Sequence, residues 1–113
     1  MILKILVTNI GERIIAGVSE VKDSETNKNL CLLIKCPYIL HVNPKEDNPT
    51  EYCVNFSKWN PFSADNKFHI PYGYVVTLGE VEEDLLKVYL EKFGEELYGD
   101  EKNVESQVDI IEE

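Results

Sequence analysis

The chain has 113 residues, 43% of them hydrophobic and 10% aromatic, and 21 acidic against 11 basic side chains give a formal net charge of −10 at pH 7. That is the size of one domain with apolar material for its own core. No apolar run approaches the roughly 18 residues that cross a bilayer, and the apolar start at residues 2–7 is broken by Lys4 and lacks a small-residue cleavage site. Neither a membrane span nor a secretory leader is expected, and the cytoplasm is the expected location.

The three cysteines, Cys31, Cys36 and Cys53, are an odd number without C-x-x-C spacing, which speaks against a disulfide framework and a zinc ribbon. Most of the charge sits at one end. Residues 95–113 hold eight carboxylates against Lys102 alone, so they carry −7 of the −10 and leave residues 1–94 near balance. The expected division is a folded unit over 1–94 and an acidic tail over 95–113. The tail reads as a solvated, disordered extension. The other reading is a nucleic-acid-mimicking segment folding back on a basic surface, with Val108, Ile110 and Ile111 as anchor.

In chain order, residues 2–7 are rich in β-branched residues and lead into the turn Asn9-Ile10-Gly11-Glu12, where Gly11 can supply a positive φ. A second strand runs from 13 to about 21, with faces Ile14, Ala16, Val18, Glu20 and Ile15, Gly17, Ser19, Val21, and the two strands make a hairpin. Gly17, without a side chain, suggests a bend or close backbone approach. A polar loop over 22–29 precedes a strand over 30–36 that Pro37 should end, with pairing resumed over 38–42. Two prolines make 43–49 a loop. Residues 51–58 alternate Tyr52, Val54, Phe56 with Cys53, Asn55, Ser57, the period of a half-buried strand. Trp59-Asn60-Pro61-Phe62 closes it, and 68–70 with 75–81 form the last strand or strand pair around a corner at Tyr72-Gly73. The period then changes to four. Leu85, Tyr89, Phe93 and Leu97, beside Leu86 and Leu90, give an amphipathic helix over 82–93, with acids at its N-terminus and Gly94 placed to end it. Five or six short strands followed by one helix predict a mainly β fold, a small, strongly bent β-barrel with exposed edges.

On these residues the chain resembles the Sm-like (Lsm) family, and more narrowly its divergent cyanophage-type members. The first motif of that family, a Gly turn followed by a bent strand with a second Gly and a terminal Asp, is similar to Gly11, Ile14, Ile15, Ala16, Gly17, Val18 and Asp23, with Gly17 one residue late. The second resembles Ile70-Pro71-Tyr72-Gly73-Tyr74-Val75-Val76, where Tyr72 stands in the place of a basic residue. Trp59-Asn60-Pro61-Phe62 and a helix after the last strand match the phage-type pattern. The resemblance implies an open barrel of Sm-like, SH3-like type, assembly of identical copies into a ring, and single-stranded RNA bases bound at the inner rim. Carried over by position, Asp23 and Asn27 form one loop of that RNA site and Tyr72 and Gly73 the other. Tyr72 can stack on a base but brings no charge to a phosphate, so salt-dependent affinity should be weak. The alternative for Tyr72 and Tyr74 is packing at the seam between copies.

No catalytic or cofactor signature is found. The chain lacks a Gly-rich phosphate loop, G-x-S-x-G and H-E-x-x-H. His41, His69 and the cysteines lack ligand spacing, and Asp23-Ser24-Glu25-Thr26-Asn27 has Lys28 where a calcium loop turns on Gly. Neither an enzyme nor a cofactor or metal is expected. Two functional classes remain: a ring associated with RNA, and the same ring as a scaffold for a host or viral protein.

Overall fold

In the second strand, β2 (Arg13–Lys22), five consecutive residues from Ile14 to Val18 are buried, which a strand with one wet face cannot achieve. The computed structural model, which describes residues 1–48 and 50–103, shows why. Ile14, Ala16 and Val18 enter one core with Leu6, Leu32, Ile34 and Ile70. Ile15 enters a second core with Cys36, Tyr38, Tyr89 and Leu97. Successive side chains of a strand point to opposite faces, so one sheet carries two cores. The first lies inside its bend, and the second lies beneath the helix α1 (Glu83–Asn103).

The sheet is antiparallel, in the order β4 (Tyr52–Lys58), β3 (Asn29–Pro44), β2, β1 (Ile2–Thr8), β6 (Val75–Gly79). β5 (Lys67–Ile70) pairs with β3. Among the described strands β4 and β6 do not pair, so the barrel is bent but open. The β1–β2 turn forms as expected, with Gly11 at φ 92° and its N–H donated to the Thr8 carbonyl at 2.9 Å.

Pro37 does not end the third strand. β3 runs unbroken through it because Cys36 takes a left-handed φ of 52° and the register slips there: Ile15 faces Tyr38 and Gly17 faces Lys35, so Cys36 and Pro37 together oppose Ala16. This is a β-bulge. It exchanges the faces of the strand. Leu32 and Ile34 point to the inner core before it, whereas Tyr38 and Leu40 point to the helix after it. The two halves also take different neighbours, β5 for Leu32–Lys35 and β4 for Tyr38–Pro44.

The 51–58 segment is a strand, yet it is not half-buried. Only Phe56 of β4 is partly covered, because β4 pairs with the far half of β3 alone. The two form an arm that outruns the body. Nor does the helix stop before Gly94. It continues to Asn103 and buries Leu97 to 2% exposure against the outer face of the sheet. Gly94 sits in the helix without a positive φ, and a Cβ added there would make only ordinary contact with Leu90 one turn earlier. The acidic stretch that was expected to follow position 94 therefore begins inside α1, and its residues 104–113, including Val108, Ile110 and Ile111, lie outside the described residues. Glu82 caps the helix N-terminus, its carboxylate accepting from the Leu85 N–H at 3.1 Å.

Candidate nucleic-acid interface

The inner-facing alternation of β2, Ile14, Ala16, Val18, is continued by Glu20 at the mouth of the barrel. There the carboxylate accepts from the Tyr72 hydroxyl at 3.0 Å and from Asn29 Nδ2 at 3.3 Å. Tyr72 opens a 3-10 turn, Tyr72–Tyr74, between β5 and β6. Since Ile70 pairs with Leu32 and Lys22 with Asn29, this turn stands beside the base of the β2–β3 loop. The two loops expected to share a site are thus brought together through Glu20. Tyr72 keeps 38% of its surface exposed while its hydroxyl is held by Glu20. Partial desolvation and the hydrogen bond to Glu20 hold its phenol above the usual range.

Asp23 and Asn27 lie in the loop between β2 and β3 and bond within it. The Asp23 carboxylate accepts the N–H groups of Glu25 at 2.8 Å and Thr26 at 3.3 Å, and Asn27 supplies the left-handed residue of the turn at φ 60°. The Asn27 N–H reaches the Asp23 carbonyl at 2.8 Å, and the Asp23 N–H reaches the Lys28 carbonyl at the same distance. These contacts shape the loop tip. Asp, which bonds its own backbone, and Asn, which tolerates positive φ, are what such a tip selects.

Gly73 has open space where a Cβ would stand and does not use a positive φ. Its carbonyl accepts from Asn9 Nδ2 at 3.4 Å. Local backbone geometry does not demand a glycine here. Tyr74 turns inward. Its hydroxyl donates to Glu12 at 2.6 Å, the carboxylate that also meets Thr8 Oγ1 at 3.3 Å and Trp59 Nε1 at 3.4 Å. Tyr74 therefore ties the turn that carries Tyr72 to the body of the barrel.

Glu20 and Asn29 were missed as site residues, although the β2 alternation already placed Glu20 in line with the inner core. The basic set around the site is thin. Lys35 is buried at 1% exposure, and Lys4 pairs with Glu80. Lys22 and Lys28 remain exposed at the loop. Among the described residues no cluster of His, Cys, Asp or Glu could hold a metal ion, and no helix is long and apolar enough to cross a membrane.

A small antiparallel sheet bent around one core, with a Gly turn after β1 and a 3-10 turn before the last strand, defines the class of small open β-barrels. Residues 4–90 match the family model described as the Sm_like domain, and the chain belongs to that family. No curated protein matches it.

Proposed function

We propose that the protein is a non-catalytic, ring-forming member of the Sm-like family, of the cyanophage type and hence working in the host cytoplasm, with a weakened site for single-stranded RNA at the barrel mouth. The observation that carries this reading is Tyr72, an exposed aromatic ring fastened by its hydroxyl to Glu20 beside a glycine that leaves room for a base. Base–aromatic stacking contributes about 1–3 kcal/mol per base. The unpaired outer edges of β5 and β6 support assembly, since edge pairing between copies builds a heterologous interface that can close. Trp59-Asn60-Pro61-Phe62 and the C-terminal helix support the phage-type assignment.

A second reading, a ring that serves as a protein scaffold for a host or viral partner, is favoured by charge. Glu20, Asp23 and Glu25 stand at the loops where a nucleic-acid backbone would pass, and carboxylates repel phosphates.

Sedimentation of the purified protein with labelled U-rich or A-rich RNA, at low and moderate salt, separates the two. The RNA reading expects an oligomer that carries the label, with Tyr72→Ala weakening binding by about tenfold while the oligomer persists. An oligomer that leaves RNA free even at low salt moves the function to scaffolding. A stable monomer overturns the ring.

A further inference from the structure

Among the described residues the most exposed large apolar side chain is Phe62, at 98% of its free surface. It is presented rather than loose. The Ser63 N–H closes on the Asn60 carbonyl at 3.3 Å, the Asp65 N–H on Ser63 Oγ at 3.0 Å, and Trp59 is packed edge-on to Phe68 at 5.4 Å in the inner core. On the same chain, between the arm and the start of α1, lies an open groove of about 260 Å³ lined by Val54, Phe56, Leu85 and Val88, with Glu82 and Asp84 on its rim. Phe62 does not fill it, since it remains in solvent.

We infer that Phe62 of one subunit seats in the Val54–Val88 groove of the next copy in the ring. Room is sufficient, because a cavity of about 150 Å³ already admits a benzene ring. Lysines stand ready for the acidic rim. Lys58 and Lys67 flank the Phe62 loop, in a cleft they share with Asp65 and Glu96, and they meet a rim made of Glu82 and Asp84. The positions match too. The loop joins β4 to β5 along one unpaired edge, whereas the groove wall begins a few residues after β6, the other unpaired edge. Pairing those edges between copies carries the knob of one subunit towards the groove of its neighbour. A knob and a hole at different places on one chain form a head-to-tail contact that rings can close. The contact rests on the ring proposed above and adds to it the residues that fix subunit orientation.

The test uses the full chain in a Cys31→Ser, Cys53→Ser background, with Phe62→Cys and Val88→Cys placed on separately tagged, co-expressed copies. Mild oxidation is expected to join the two tags in one covalent dimer, and Phe62→Cys paired with Ser24→Cys at the loop tip should give none. Phe62→Asp, a surface change that leaves the fold intact, is expected to weaken assembly by about tenfold or more, the scale of one buried aromatic side chain. An oligomer that shows no excess cross-link and keeps its mass with Phe62→Asp overturns the Phe62 contact and leaves the ring standing. A wild-type monomer overturns both.

Discussion

Tyr89 shows how a single hydroxyl ties two elements. Its ring is fully buried among Tyr38, Phe56 and Phe93, and its O–H donates to the Cys36 carbonyl at 2.8 Å, on the residue whose left-handed backbone turns β3. The Cys36 N–H is met by the Asn66 carbonyl at 2.7 Å, so both backbone groups of the bulge are satisfied from outside the ladder. Tyr89→Phe should cost about 1–3 kcal/mol by orphaning that carbonyl, read as a lower denaturation midpoint. Burial first holds the phenols of Tyr89 and Tyr38 well above their ordinary value of 10.0, and Glu96, which accepts from Tyr38 at 2.9 Å, adds to the effect. The unfolded chain therefore loses these protons first. Stability is whole below about pH 10 and falls as pH rises beyond it, and Tyr89→Phe should flatten that fall in melts between pH 9 and 12. At this scale the sequence was legible where a side chain acts locally, as at Gly11. It was opaque where roles come from distant partners, as with Glu20 and Tyr72, which are 52 positions apart.

Among the elements, α1 was readable in its start and not in its end. Acids and the Glu82 cap mark the N-terminus, whereas Gly94 gives a false stop. Glycine inside a helix costs about 1 kcal/mol, and burying Leu97 returns about 1.5–3 kcal/mol, so the helix passes through. The same contact accounts for Gly17, where an added Cβ would lie 2.8 Å from Met1 and 3.1 Å from Leu97. Leu97→Ala should lower stability by about 2–5 kcal/mol, whereas the exposed Lys92→Ala should change it by less than about 0.5 kcal/mol. Equal effects in chemical denaturation would show that the last helical turns are not docked. β3 misled for a related reason. Nothing local announces that a cysteine will adopt φ 52°, and the bulge that lets the strand continue past Pro37 depends on Ala16 across the ladder.

For the whole molecule, the change from a period of two to a period of four was enough to give strands followed by a helix on a bent sheet. What it concealed was the double core, because a strand buried on both faces loses the alternation that sequence reading relies on. Electrostatics also acts at this scale. Residues 104–113 hold four of the carboxylates and no basic residue. Removing them should raise RNA affinity about two- to fivefold at low ionic strength, an advantage that vanishes near 1 M salt, where the Debye length is about 3 Å. Fluorescence anisotropy on the shortened chain reads it directly, and an unchanged affinity would leave those carboxylates without a role in RNA binding. The bulge at Cys36 has a further consequence. Because it hands the far half of β3 to β4, the described residues of the loop between them, where the Lys45 N–H meets the Glu51 carbonyl, enter neither core. The arm can lengthen, shorten or accept an inserted peptide at its tip while the barrel keeps its shape, which makes it the place where this lineage can acquire new attachments without rebuilding the fold.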